Sequence, residues 1–159
     1  MSRSAPRPVP PSRNRPQPDA CDIAVRLLSL RPHSELELRQ KLRRRGCDAD
    51  SIDGAVARAL RLGYLDDAAF ARALVTQRSR TRGPAVVAAE LAAKGVHRGL
   101  AREALGTVAH ASQVEAARRL AARSSHANRQ VVATRLLRRG FGTDVIREAL
   151  ELEELDPGC

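Results

Sequence analysis

Three stretches of the chain share one pattern: ELAAKGV at residues 90–96, KLRRRGC at 41–47 and RLLRRGF at 135–141. In each stretch, a leucine is followed four residues later by a glycine and then by an apolar residue. Glycine adopts the positive φ at which many helices end, and an apolar residue after it folds back onto the last turn. The pattern therefore predicts three equivalent helix ends.

The three glycines, Gly46, Gly95 and Gly140, lie 49 and 45 residues apart. Two apolar residues spaced i, i+4 precede each glycine and fall on one stripe of a helix. These pairs are Leu38 and Leu42, Val87 and Leu91, and Val132 and Leu136. Such a period is typical of tandem helical repeats, in which neighbouring units complete each other's core. We therefore expect an elongated stack, and if the units lie side by side, equivalent helices present equivalent faces.

Helical spacing of apolar residues predicts nine helices, at about 22–30, 34–46, 50–62, 67–79, 84–95, 97–105, 111–124, 127–139 and 143–154. The predicted fold is all-α: three tandem three-helix repeats that form an elongated, curved helical stack. The predicted repeats cover residues 22–64, 66–106 and 110–155. Residues 1–19 hold six of the nine prolines and four arginines, a composition that predicts a disordered tail.

Capping residues support several of these helix boundaries. Ser34 and Glu37 form the S-x-x-E pattern of a capping box, in which the Ser hydroxyl and the Glu carboxylate each accept from a backbone amide of the first turn. Asp66 and Thr143 are predicted N-caps. Pro84 fits a first turn, where its missing N–H would have no partner.

Aromatic residues are scarce, since the chain has one tyrosine, two phenylalanines and no tryptophan in 159 residues. The interior must therefore be built mainly from Leu, Val and Ala, which suits closely packed helices. We expect all three aromatic residues to be used in packing. Single-strand binding by base stacking is accordingly disfavoured.

The formal net charge of +10 is the clearest indication of function, because such a field attracts polyanions. Nucleic acid, or a protein coated on nucleic acid, is the first partner to consider. The alternative is an arginine-rich but merely solvated surface, with cations near helix C-termini that favour the helix dipole. The candidate interface consists of twelve cations: Arg31, Arg39, Lys41, Arg43, Arg45, Arg78, Arg80, Arg82, Lys94, Arg135, Arg138 and Arg139.

Signatures of catalysis and of metal or cofactor binding are missing from the sequence. It has no phosphate-binding loop, no dinucleotide-binding glycine motif and no H-E-x-x-H or G-x-S-x-G. The cysteines are too far apart for a metal site, and Cys47 is predicted to be a buried small hydrophobe. We predict a cytoplasmic, monomeric protein that is not an enzyme and uses no cofactor. The four histidines are interpreted as exposed polar residues: His33, His97, His110 and His126.

Three consecutive segments of the chain carry a family resemblance: LLSLRPHSELELRQKLRRRG at 27–46, ALRLGYLDDAAFARALV at 59–75 and RGPAVVAAELAAKGV at 82–96. Together they resemble the RecX family of bacterial proteins. The most specific matches are Arg31, Ser34, Glu37, Leu38, Lys41, Leu42 and Gly46, then Gly63 to Asp67 with Phe70, then Gly83, Glu90, Leu91, Lys94 and Gly95. The third repeat matches more loosely, and the N-terminal tail does not match.

The resemblance implies three tandem three-helix repeats and a regulator of the RecA recombinase without catalytic residues. It implies binding to the RecA filament on single-stranded DNA, with restraint of ATP hydrolysis, strand exchange and filament growth. It also implies a place in homologous recombination, DNA repair and the SOS response. Two other functions stay open from the residues alone. One is a free-standing DNA-binding protein, which binds duplex DNA at least weakly, and the other is a helical scaffold for a protein partner.

Overall fold

The computed structural model describes residues 19–124 and 128–150. Within these residues the chain forms nine α-helices and no strand. The helices are α1 (Ala20–Leu30), α2 (Glu35–Arg44), α3 (Ala49–Arg61), α4 (Asp67–Arg78), α5 (Pro84–Ala93), α6 (Arg98–Gly106), α7 (His110–Ala122), α8 (Arg129–Arg138) and α9 (Thr143–Ala149). The predicted all-α class is confirmed. The predicted tail at 1–19 and the predicted end of the third repeat at 151–155 lie almost entirely outside the described residues.

Helix packing divides the described chain into three units, α1–α3, α4–α6 and α7–α9. Each unit has its own cluster of buried side chains. This differs from the expectation that neighbouring units complete each other's core. In the first unit, Leu38 and Leu42 of α2 are fully buried, and burying one leucine contributes about 1.5–3 kcal/mol. A unit of three short helices can therefore enclose its own apolar stripes.

The middle helices α2, α5 and α8 end alike, as the repeated glycine pattern predicts. Gly46, Gly95 and Gly140 have φ of 83°, 76° and 85°. After α5, the Gly95 amide donates to the Ala92 carbonyl (2.9 Å) and the Val96 amide to the Leu91 carbonyl (3.1 Å). This pair of bonds is the Schellman motif, and the same pair ends α2 and α8. The residue after each glycine is buried, and Cys47 is therefore the small buried hydrophobe that the sequence predicts.

Two capping predictions need correction. The Ser34 hydroxyl accepts from the Glu37 amide (3.2 Å) as expected, but the Glu37 carboxylate binds Arg31 and Lys94 and does not complete a capping box. Thr143 is the first residue of α9, and Gly142 holds the N-cap position without a side-chain hydrogen bond. The Asp66 cap and the Pro84 first turn are confirmed.

The units meet at the ends of their middle helices. The Ser34 hydroxyl, at the N-cap of α2, donates to the carbonyl of Lys94, the C-cap of α5 (2.7 Å). The Gly83 amide, at the N-cap of α5, donates to the carbonyl of Arg139, the C-cap of α8 (2.8 Å). The two junctions use the same positions of consecutive units. The three middle helices therefore follow one another end to end.

Candidate nucleic-acid interface

A basic residue occupies the C-cap of every middle helix. These three residues, Arg45, Lys94 and Arg139, are called the cap cations here. Because the middle helices meet end to end, Lys94 and Arg139 lie at the two junctions, and Arg45 lies at the far end of α2. The position of each cap cation can be read from the sequence, since the cation directly precedes one of the repeated glycines. The repeat thus places one cation at each helix end.

The junction of the first two units gathers three cations, Arg31, Lys41 and Lys94, near one carboxylate. Glu37 accepts from the Arg31 guanidinium (2.9 Å) and the Lys94 ammonium (3.0 Å). Burial raises the pKa of Glu37, but these two cations outweigh it and lower the pKa to about 2. Lys41 is close enough for the charges of Arg31, Arg45 and Lys94 to affect it, and burial together with these charges lowers its pKa. The junction therefore keeps a positive excess and favours an incoming anion.

His33 lies within this junction and is buried, so its interpretation as an exposed polar residue is wrong. Its Nδ1 is 2.8 Å from the Arg31 carbonyl, and its Nε2 is 2.8 Å from the Lys41 ammonium. Since a carbonyl accepts and an ammonium donates, Nδ1 carries the proton and Nε2 accepts. Burial, together with the charges of Arg31 and Lys41, lowers the pKa of His33. The neutral imidazole therefore holds Lys41 in place.

The junction of the second and third units has a smaller basic cluster. Glu90 accepts three hydrogen bonds from Arg78 (2.8 and 3.1 Å to Oε1 and 3.1 Å to Oε2) and one from Arg82 (3.3 Å). The Arg139 guanidinium donates to the Thr81 carbonyl across the junction (3.2 Å). Two guanidinium groups thus lie on one carboxylate, and a third binds the backbone of the adjoining loop. This junction too has a positive excess.

The other candidate cations are placed differently. Arg39 turns toward α3, where it pairs with Asp53 and with Glu35 of its own helix. Arg135 donates to the Ser124 hydroxyl within the third unit (3.2 Å). The remaining three have exposed side chains outside the two clusters: Arg43, Arg80 and Arg138. Of the twelve candidates, the structure brings together Arg31, Lys41 and Lys94 at one junction and Arg78, Arg82 and Arg139 at the other. Arg45 lies at the other end of α2, and its charge reaches Lys41.

Sequence reasoning missed the residues that organise these clusters. Glu37 and Glu90 each orient two cations, and His33 orients Lys41. Glu37 was interpreted only as a capping residue, and nothing near Glu90 in the sequence indicates its partners. A second correction concerns Tyr64, which is 63% exposed and is therefore not used in packing. The other two aromatic residues, Phe70 and Phe141, are buried as expected.

Two further kinds of site find no support in the part of the chain that the structure describes. Among residues 19–124 and 128–150, no group of three or more His, Cys, Asp or Glu side chains is placed to hold a metal ion. His97 caps α6, and His110 lies exposed beside Glu148; His126 lies outside the described residues. No described helix has the length and apolar character that crossing a bilayer requires. The fold and the site thus define a class: a basic protein built from repeated three-helix units.

Comparison with known proteins identifies the family within this class. Residues 20–58 match the family model described as the first three-helix domain of RecX, and residues 66–105 match that of the second. A Regulatory protein RecX of Pelodictyon phaeoclathratiforme is 33% identical over 149 residues, which cover 89% of this chain and 92% of that protein. One of Thermus thermophilus is 36% identical over 137 residues, with 86% and 93% coverage.

Solved structures agree with this assignment. The crystal structure of RecX from Lactobacillus salivarius superimposes with a TM-score of 0.72 at 26% identity, covering 83% of this chain and 92% of that one. The chain therefore belongs to the RecX family. Its role is regulatory, in keeping with the description that its relatives carry.

Proposed function

We propose that this protein binds the RecA filament on single-stranded DNA and restrains ATP hydrolysis, strand exchange and filament growth. It acts as a monomer in the cytoplasm and without catalysis of its own. The observation that supports this proposal most directly is the series of cap cations. A helical filament repeats its contacts along its length, and a chain that repeats one cation per unit is suited to follow it.

The spacing of the cap cations is set by the middle helices. Each middle helix has 10 residues between its caps, so that one unit advances roughly 17 Å at 1.5 Å per residue. A cation repeated at this distance contacts widely separated phosphates and leaves those between them free. This arrangement suits a nucleic acid that is already coated by another protein.

The chemistry of the junctions favours phosphate over base contacts. Guanidinium and ammonium groups neutralise phosphates and release counterions, and this term carries most sequence-independent affinity. Stacking on bases needs exposed aromatic side chains. Among the described residues only Tyr64 supplies one. Binding therefore has a strong salt dependence and little base preference.

The test is to add the protein to RecA-coated single-stranded DNA and to follow ATP turnover and strand exchange. We expect both rates to fall as the protein approaches a stoichiometric ratio to its binding sites. Unchanged rates at that ratio contradict the proposal. RecA without DNA serves as the control that separates filament binding from binding to free RecA.

The second candidate is a free-standing DNA-binding protein, which the net charge of +10 and the two basic clusters also favour. Such a protein binds naked duplex as tightly as the filament, with a steep dependence of affinity on salt. A titration of naked DNA, the filament and RecA alone separates the two functions. Preference for the filament supports the first, and equal affinity for naked duplex supports the second.

A further inference from the structure

The five-residue turn from Gly63 to Asp67 contains one side chain without a structural role. Gly63, with φ 72°, ends α3, and Leu65 is buried. Asp66 caps α4 through the amides of the first turn, and Asp67 accepts from an amide of the first unit (2.8 Å). Tyr64 uses its backbone amide to close the cap of α3 and leaves 63% of its surface exposed. An exposed aromatic ring in so ordered a turn is available to a partner.

The Tyr64 ring borders a groove between the N-terminal end of α1 and the C-terminal end of α3. The groove has a volume of about 210 Å³. Two more large apolar side chains on it are half exposed, Val25 at 56% and Leu62 at 52%. Aromatic and aliphatic side chains that gather around a concave surface are typical of the centre of a protein–protein contact.

The charges around the groove indicate which kind of partner the groove can bind. Asp19 and Asp22 lie at its edge with one cation, Arg58. Within the described residues, neither Asp22 nor Arg58 has an ionic partner. This local excess of negative charge repels phosphates, and the overall charge of +10 opposes contact with a second copy of the chain. Apolar walls with an acidic edge instead complement a protein segment that carries both an apolar side chain and a cation.

We infer that this groove binds a protein segment that presents an apolar side chain next to a Lys or Arg. The apolar side chain packs on Tyr64, Val25 and Leu62, and the cation pairs with Asp22. The inference deepens the proposed function and rests on it, because it assigns to this groove the contact with the protein part of the filament. The occupant is thus a surface segment of the recombinase.

The acidic edge of the groove and the first basic cluster lie at opposite ends of α1. Asp19 and Asp22 are at the N-terminal end, whereas Arg31 follows the last residue of the helix. The helix has 11 residues and is therefore roughly 16 Å long. Protein and nucleic acid thus have separate contact sites on the first unit. Substitutions in one site leave the other intact.

The test compares two probes, the RecA filament on a single-stranded oligonucleotide and the same oligonucleotide without RecA. Tyr64→Ser removes the ring from an exposed position. We expect its affinity for the filament to fall about tenfold, as for an aromatic residue central to an interface, and its affinity for the naked oligonucleotide to stay within about twofold. Val131→Ser, which replaces an apolar residue of α8 that is 45% exposed, is the matched control and should bind both probes like the wild type.

Asp22→Lys provides the sharper test, because it adds positive charge to a protein that binds a polyanion. Simple electrostatic attraction predicts tighter binding of the filament, whereas the inference predicts weaker binding. Circular dichroism checks that each variant remains folded. Wild-type filament affinity in Tyr64→Ser, or tighter filament binding by Asp22→Lys, overturns the inference and leaves the proposed function standing.

Two other outcomes are equally informative. If Tyr64→Ser loses the same affinity for the naked oligonucleotide as for the filament, the ring stacks on a base and the inference is wrong. If the wild-type protein itself does not bind the filament, the proposed function fails and the inference fails with it.

Discussion

The buried Ser34 hydroxyl donates a 2.7 Å hydrogen bond to the Lys94 carbonyl and accepts a bond from the Glu37 amide. One side chain therefore caps α2 and joins α2 to the end of α5. The N-terminal amides of one helix and the C-terminal carbonyls of the next both lack intrahelical partners. Their meeting satisfies one group at each helix end and brings the positive end of the α2 dipole next to the negative end of the α5 dipole.

Ser34→Ala removes the cap and the link between units at once. We expect the free energy of unfolding to fall by about 1–2 kcal/mol, the usual cost of losing an N-cap with a buried hydrogen bond. Urea unfolding followed by circular dichroism measures this loss. Ser29→Ala, at an exposed serine that bonds only to its own helix, should change stability by less than about 0.5 kcal/mol. Equal effects of the two substitutions contradict this role of Ser34.

Glu37 makes the stability of the first junction dependent on pH. Its pKa is lowered from 4.5 to about 2, so the folded state favours the ionised carboxylate. The stabilisation is complete above about pH 4.5 and is lost as the pH falls toward 2. Glu37→Gln should therefore cost about 1–3 kcal/mol at neutral pH, and its difference from the wild type should shrink across that range.

Urea unfolding of both proteins at several pH values measures this difference. Glu115→Gln is the control, because Glu115 forms an exposed pair with Arg119 one helical turn away. Such a pair contributes about 0.5 kcal/mol or less. A difference between Glu37→Gln and the wild type that is constant from neutral pH to pH 2 contradicts the proposed role of the Arg31 and Lys94 contacts.

A substitution of Gly83 tests the second junction without adding backbone strain. Its φ of −79° is open to any residue, but a Cβ would lie 2.1 Å from the Gly140 carbonyl oxygen of the third unit. Gly83→Ala should therefore separate the two units. The Ala85 amide, which now donates to the Gly140 carbonyl (3.3 Å), should then exchange its hydrogen at least about tenfold faster, because an exposed amide is no longer protected.

The matched control for this substitution is Gly46→Ala. Gly46 has a φ of 83° and no atom within 4 Å of an added Cβ, so its substitution costs about 1–2 kcal/mol of backbone strain at a helix end that joins no other unit. Hydrogen exchange of Ala85 should remain slow in this variant. If hydrogen exchange of the Ala85 amide becomes equally fast in both variants, the end-to-end junction does not protect this amide.

The repeated glycine pattern predicted the ends of the middle helices because the cause is local. A positive φ and an apolar residue after it determine the cap whatever surrounds the helix, and Gly95 with Val96 follows this rule. The cap cations directly precede these glycines, although the sequence indicates them as candidate residues through their charge. Composition and periodicity also sufficed for the all-α class.

The arrangement of units could not be predicted, because it depends on contacts between residues far apart in the chain. Ser34 and Lys94 are 60 residues apart, and nothing local to either indicates that they meet. The burial of His33 was missed for a different reason: its partners Arg31 and Lys41 are near in the chain, but no sequence pattern marks their contacts with the ring. Tyr64 was misjudged because an aromatic residue in an apolar segment is more often buried.

The central claim is that the cap cations bind the phosphate backbone of the filament. Replacing all three by glutamine keeps hydrogen-bonding side chains at the junctions and removes three charges. Filament affinity measured over a range of salt concentrations tests the claim, because each phosphate contact to single-stranded DNA contributes about 0.7 to the slope of log affinity against log salt. The control variant removes three exposed arginines that lie outside the middle helices: Arg72, Arg102 and Arg123.

The account predicts that the triple substitution Arg45→Gln, Lys94→Gln and Arg139→Gln weakens filament binding at least about tenfold and makes the salt slope shallower by about 2. It also predicts that the control triple keeps a slope close to that of the wild type. Equal affinities and equal salt slopes for the two triple variants would contradict the claim.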